Sequence, residues 1–365
     1  MSGFHVDPAG LDGLYNVLHR AGGDTDDVLR YATRHCDLTF EQQGLIANLA
    51  GPHQTAYKLM TEALERLRSH SKGAASQVNL AQGAYAKSDT TAAARLDRSI
   101  PGARDPALLR TTLATGRPDL GTARAPFADV AEPTARLASP NYTSAVEMWS
   151  INPLTDLVSP TAWLRQVSVW LFGHDPFEGW AKQFSGDWQS YIHCAAAWRI
   201  IGDAVHDIGR NLVATAADVG TVWQGNAAEA EQEFQVRLGA VALSLHHACD
   251  QYSVLYTKAA EATKELFAVV SGLIVNLIDV LLIINLATVV GTATIKTGVG
   301  AVAGYSVAAY YAWQAHELYS RIASLYANTE ATLKALASSI AMIQAGLAVG
   351  SLPELPPYRR PGHLG

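Results

Sequence analysis

The sequence predicts an all-α fold of antiparallel helical hairpins packed into an elongated bundle, with a proline-rich linker. Three observations carry this. No proline occurs from Phe177 to Leu352, and a proline costs about 3 kcal/mol inside a helix, so that run is free to be almost entirely helical. Within residues 1–95, apolar residues recur at alternating spacings of three and four, the period of a one-sided helix. Hydrophobic residues make up 49% of the chain and charged residues 16%. That charged fraction is below the usual quarter, so the chain has the material for a sizeable core and is not disordered overall.

The first module is residues 1–95. Asp7 is placed to cap a helix that has Pro8 at its first position. Leu11, Leu14, Leu18, Ala21, Thr25, Val28 and Ala32 form its stripe. A break is expected at Leu49-Ala50-Gly51-Pro52. A second stripe follows through Ala56, Met60, Ala63, Leu67, His70, Ala74, Val78, Ala81 and Tyr85. Two such helices make an antiparallel pair with one open apolar face that needs covering. Residues 96–160 read as an extended linker, because eight of the 15 prolines lie between Pro101 and Pro160 among Gly, Ser and Thr. Residues 161–352 read as a long helical domain. It opens with Trp163, Trp170, Phe172, Phe177, Trp180, Phe184 and Trp188, then has helices over about Asp187–Val219 and Asn226–Leu266, with Trp223-Gln224-Gly225 in the turn between them. Residues 353–365 carry four prolines and read as an unstructured tail.

Two motifs carry a resemblance. Trp223-Gln224-Gly225 sits between two long helices, and Tyr85-Ala86-Lys87-Ser88-Asp89 closes the second helix of the first module. These resemble the Trp-X-Gly turn and the Tyr-X-X-X-Asp tail of the helical-hairpin substrates of type VII secretion. Residues 1–95 look like the EspC-like excreted branch, which opens with a similar Val-Asp-Pro start and has no tryptophan in its turn. The segment from Ser159 to about Leu266, with Asp175-Pro176 and Gly186-Asp187-Trp188, is similar to the longer actinobacterial Trp-X-Gly proteins. A second tail-like match, Tyr326-Ala-Asn-Thr-Glu330, lies late in a predicted helix.

The resemblance implies a secreted interaction or assembly protein without catalysis, handled by the type VII secretion ATPase and its machinery. It would be cytoplasmic before export, then secreted or held at the cell envelope by a route that needs no signal peptide. The polar N-terminus fits that route, having no basic start and apolar stretch. In the family the two motifs come from two chains. Here one chain has both, so Tyr85, Asp89, Trp223 and Gly225 are the expected export-signal residues, an intramolecular version of the composite signal. The bland alternative is that Trp223 plugs a pocket, Gly225 permits a tight bend, and Tyr85 and Asp89 end a helix. A delivery or shielding role for a separate effector is a second reading, with a small helical partner or a homo-oligomer as its company.

The run from Leu266 to Ile295 contains one charge, Asp279, and is followed by the small-residue run Gly298–Gly304. Thirty helical residues span about 45 Å, more than a hydrocarbon core of about 30 Å. Residues 266–313 are therefore either a membrane hairpin, out over Leu266–Leu286 and back over Thr297–Trp313, or a helix pair buried in the fold or under a partner. A pore-forming or anchoring protein is the corresponding third function.

Other classes find little support. A net charge of −6 argues against a nucleic-acid binder. No nucleophile elbow, phosphate-binding loop, His-Glu-X-X-His motif or dinucleotide fingerprint occurs, so no cofactor is expected. His246, Cys249 and Asp250 share a helix face, with His206 or His193-Cys194 as outside candidates, but a metal needs more convergence than that. Asp203, His206 and Asp207 read as a solvated helix face. Cys36, Cys194 and Cys249 read as free buried thiols.

Overall fold

A computed structural model describes residues 4–38, 44–115, 125–140, 162–177, 179–180, 188–293 and 299–349. The fold is all-α. Among these residues the helices are α1 (Leu11–Cys36), α2 (Ala47–Tyr85), α3 (Thr90–Asp97), α4 (Pro106–Thr115), α5 (Ala162–Phe172), α6 (Trp188–Val222), α7 (Asn226–Ala293) and α8 (Val299–Val349). The strand content is a single short ladder, β1 (His5–Val6) antiparallel to β2 (Trp223–Gln224).

Three antiparallel pairs, α1–α2, α6–α7 and α7–α8, build the molecule, and α1 lies on α6 while α8 lies on α2. Both predicted stripes face inward. Every residue in them is buried except His70, which is half-buried. The two modules share one continuous apolar core, from Leu11 in α1 to Ile340 in α8. α6 and α7 approach closely where Gly209 faces Gly239: a β-carbon on either would come within about 3 Å of the other's carbonyl oxygen, at 2.9 and 3.0 Å. Aromatic rings fill the mid-core. Tyr191 stacks on Tyr256 at 4.5 Å, and Trp198 leans on Tyr252 at 5.5 Å.

Several expectations are corrected. The break in the first module falls between Cys36 and Ala47, not at Leu49–Pro52, and Pro52 lies inside α2. α2 starts with tight i→i+3 bonds, Asn48 N–H to Leu45 O and Leu49 N–H to Ile46 O, and the helix then runs through Pro52, its sixth residue, to Tyr85. The adjacent His53 is buried. One ring nitrogen bonds the Cys36 carbonyl at 3.0 Å and the other the Tyr256 hydroxyl at 2.7 Å. The helix expected to stop at Leu266 continues to Ala293, because Lys264-Glu265 marks a change of composition and not a helix breaker. The tail, the Gly298–Gly304 side chains and Gly186-Asp187 lie outside the described residues or side chains.

The linker is also more ordered than its composition suggests. Among its described residues, α4 lies within it, α3 reaches its first two residues, and residues 125–140 strap across α6 and α1; residues 116–124 and 141–160 lie outside the described residues. Asn211 of α6 accepts from Val130 N–H and Ala131 N–H at 2.9 and 3.0 Å and donates to Ala131 O at 2.9 Å. Asp218 accepts from Phe127 N–H at 2.8 Å, and Arg20 of α1 grips Asp129 at 2.7 Å. Asp207 is not on a solvated face: it is 2% exposed and pairs with Arg136 of the strap at 2.7 Å. The three cysteines are free and buried. They are also neighbours in space: Cys249 Sγ lies 3.9 Å from Met60 Sδ, and burial followed by contact with Cys194 pushes the Cys36 thiol well up.

One core residue breaks the apolar pattern. Glu231 of α7 is fully buried, and burial alone pushes its carboxyl up to about 8.

Two predictions follow from these packings. Asn211→Ala removes three bonds to the strap's backbone and should cost about 2–3 kcal/mol; limited proteolysis should then cut within 125–140 before the helices. Glu231 binds its proton more tightly folded than unfolded, so it adds a pH slope in which stability is full below about 4.5 and is lost as pH rises through about 8. His53 acts oppositely: burial depresses it to about 4, so its contribution is present above about 6.5 and lost as pH falls towards 4. In urea unfolding at a series of pH values, Glu231→Gln should flatten the alkaline slope and leave the acid limb unchanged.

Candidate functional site: the hairpin elbow

At one end of the molecule, the turn between α6 and α7 meets the end of α2 and the start of the chain. The local reasons begin with Gly225. Its φ is +129°, a region disfavoured for side-chain-bearing residues, and a β-carbon there would sit 2.5 Å from the Asp97 carboxylate. Only glycine lets the chain turn from β2 into α7 against that carboxylate. Asp97, the last residue of α3, accepts from Asn226 N–H at 3.0 Å and Ala227 N–H at 2.9 Å. It thus caps the N-terminus of α7 from 129 residues away, where bare N–H groups and the helix dipole favour negative charge. Asn226 returns a bond from its side chain to the Ile100 carbonyl at 2.9 Å.

Trp223 is 0% exposed and Tyr85 8% exposed, with ring centroids 5.8 Å apart in an edge-on arrangement. Phe4 lies 6.1 Å from Tyr85 on the other side. Val6 pairs with Trp223 and His5 with Gln224, while Asp7 N–H bonds the Val222 carbonyl at 2.7 Å. Asp7 also accepts from Ala9 N–H at 3.1 Å, forming a turn just ahead of α1. Gln82 of α2 holds that turn through Pro8 O and Asp12, both at 2.8 Å. Burial, and secondarily the Asp97 charge, push the Tyr85 phenol up to about 12, so it stays neutral at any physiological pH.

Tyr85, Trp223 and Gly225 therefore meet at one elbow, as the sequence reading expected of neighbours. Asp89 does something else. It is exposed, and its carboxylate accepts from Thr91 N–H at 3.0 Å to cap α3. The acidic group at the elbow is Asp97, which sequence reasoning missed. The only local hint was a turn with glycine immediately before a helix start, which calls for an acceptor from somewhere. The roles of Phe4, His5 and Val6 were likewise not read from the sequence, since a two-residue strand has no pattern. Because both rings are buried, the side chains exposed at this end include His5, Asp7, Lys87, Ser88, Asp89 and Gln224.

Elsewhere, His246 Nε2 lies 3.3 Å from the Asp250 carboxylate and its ring 4.9 Å from the His206 ring, while Cys249 points the other way, to Met60. Among the described residues no three His, Cys, Asp or Glu side chains converge as metal ligands. Tyr326 of the second tail-like match is buried on α8, and Glu330 pairs with Lys334 at 2.6 Å.

Fold and elbow together define the class: an all-α protein of stacked antiparallel hairpins whose first and second modules are locked at a tryptophan–glycine turn. No protein-family model, curated protein or solved structure matches the chain.

The geometry at Gly225 gives a direct test. Gly225→Ala should destabilise the protein by more than about 2 kcal/mol, and Asp97→Ala by a similar amount through loss of the cap. In chemical denaturation the double variant should lose clearly less than the sum of the two, because the added methyl and the carboxylate compete for one place.

Proposed function

We propose that the protein is a non-catalytic substrate of type VII secretion that leaves the cell as a folded helical bundle and acts outside as an interaction or assembly protein. The observation that supports this reading is the edge-on contact of Tyr85 with Trp223 at 5.8 Å, which makes one rigid tip from the end of one hairpin and the turn of the other. A two-chain export signal requires just such a tip, and here a single chain contains both halves. The rings themselves are covered, so they serve as the tip's scaffold. Recognition by the secretion ATPase falls to what they hold at the surface, above all the exposed Asp89 on the loop after Tyr85. A compact patch held rigid from behind gives a partner contact area at little entropic cost.

The test is secretion from a host carrying a type VII system. Asp89→Ala loses both the carboxylate and the α3 cap, whereas Asp89→Ser keeps a capping oxygen and loses the charge. Both variants should fall at least about tenfold in the medium while the cytoplasmic pool stays folded by circular dichroism, a loss of about 1.4 kcal/mol or more in recognition. Wild-type secretion of Asp89→Ser would show that only the cap matters and would remove the export reading of this residue.

A further inference from the structure

α1 and α6 run antiparallel along the seam between the two modules. Asp7 N–H bonds the Val222 carbonyl at 2.7 Å, where the turn ahead of α1 meets the end of α6. Cys36 lies 29 residues on from Asp7, and Cys194 lies 28 residues back from Val222. An equal rise along both helices therefore brings the two cysteines level at the other end of the pair. The side chains agree with that register. The Cys36 thiol is in hydrogen-bonding contact with Cys194. Next to them, His35 is held below its usual range by burial, then by Arg34 and by His193 across the seam. Both thiols are 0% exposed. The third cysteine, Cys249 of α7, turns to Met60 Sδ at 3.9 Å.

The backbone around the pair is fixed. Cys36 is the last residue of α1. Its carbonyl accepts from Leu38 N–H at 3.1 Å and from the His53 ring at 3.0 Å. A carbonyl can only accept, so His53 Nε2 carries the proton. Burial depresses His53 to about 4, so the ring is neutral and Nδ1 accepts from the Tyr256 hydroxyl at 2.7 Å. Tyr256 in turn stacks on Tyr191 at 4.5 Å, one helical turn before Cys194. These contacts hold α1, α2, α6 and α7 together around the two sulfurs.

We propose that Cys36 and Cys194 are a redox-controlled staple, forming a disulfide that ties α1 to α6 when the protein meets a disulfide oxidant. The structure holds the reduced form, with all three thiols free. In the reaction, the Cys36 thiolate displaces one sulfur of the oxidant's S–S bond, which gives a mixed disulfide and releases one thiol. Cys194 then attacks the Cys36 sulfur, the Cys36–Cys194 bond forms, and the second oxidant thiol leaves. The two cysteines lose two electrons, the oxidant gains them, and both protein protons end on the released thiols. The closed structure is slow to react, because the thiolate is the nucleophile and burial pushes the Cys36 thiol up. Cys36 stands in the last turn of its helix, where local opening costs least, so oxidation waits on the loss of that turn. Once made, the bond closes a loop with 157 residues between its ends, and a cross-link stabilises more the longer the loop it closes. The seam is already held at the elbow by β1 and β2 and further along by the strap, and the staple fixes its far end. A reducing cytosol keeps it open and an oxidising exterior closes it. This inference does not rest on the export route, since any disulfide oxidant drives the same step.

The experiment incubates the full chain with oxidised glutathione at mildly alkaline pH, in urea kept below the unfolding transition so that helix ends open while the fold persists. The intact mass should fall by about 2 Da, the two hydrogens lost. A non-reducing peptide map should join the Cys36 and Cys194 peptides. After removal of urea, the melting temperature should be raised by about 5 °C, and dithiothreitol should return it to the starting value. Cys194→Ser should take glutathione without forming an internal bond, and the wild-type map decides the linkage even where that variant folds poorly. The proposal is overturned if the thiols stay free, if the bond maps to Cys249, or if only glutathione adducts or links between chains form. It is equally overturned if Cys194→Ser still forms an internal disulfide, or if the mapped Cys36–Cys194 bond leaves the melting temperature unchanged.

Discussion

The rest of the structure depends on how the N-terminus of α7 is satisfied. A helix of 68 residues begins at Asn226, directly after a glycine turn, with its first N–H groups and positive dipole end facing into the protein. Nothing in the second module caps them. Asp97 does, with two bonds of about 3 Å from the end of α3. Charge-assisted bonds of this kind contribute about 1.5–3 kcal/mol each, and leaving the donors buried without a partner would cost comparably. The same turn leaves β2 with an open edge, which β1 covers, and exposes one side of the Trp223 indole, which Tyr85 covers. Three separate needs of the second module are thus met by the first hundred residues, so the two hairpin modules fold as one body.

From the elbow, constraint passes along α6. Asp207, Asn211 and Asp218 fall on one face of this helix and take up Arg136 and the backbone donors of residues 125–140. The strap has few apolar side chains of its own to bury, and a stretch rich in proline has fewer backbone donors to satisfy. Side chains from a rigid helix order it instead. Arg20 and Tyr31 of α1 hold its other side, through Asp129 and the Ala138 carbonyl at 2.9 Å. The strap therefore clamps α1 to α6 along the seam where the modules meet.

What the sequence revealed followed the reach of each interaction. The stripes of α1 and α2 and the hairpin turn at Trp223 were legible because helical periodicity and a glycine-tryptophan turn are local signals. The break before Ala47 was misplaced because Pro52 was weighted as a stop, whereas α2 runs through it. The linker was read from composition, which reports what a segment can do by itself and not that a neighbouring helix offers acceptors at the right rise. Asp97 and the His5–Val6 strand were illegible for the same reason: their partners lie more than a hundred residues away. Glu231 looks like an ordinary helix-former in sequence. Only its burial, which raises its carboxyl to about 8, sets it apart.

The two ends of α7 are opposite in character yet belong to one rod about 100 Å long. At the elbow the large rings Tyr85 and Trp223 are covered, and the Asp97 carboxylate is bonded to the first N–H groups of α7. Toward the far end, Leu282 and Leu286 are 41% and 56% exposed. Because α7 has no break between Asn226 and Ala293, whatever engages that end is held at a fixed distance and orientation from the elbow. A continuous helix is the stiffest single-chain connection between two parts of a protein.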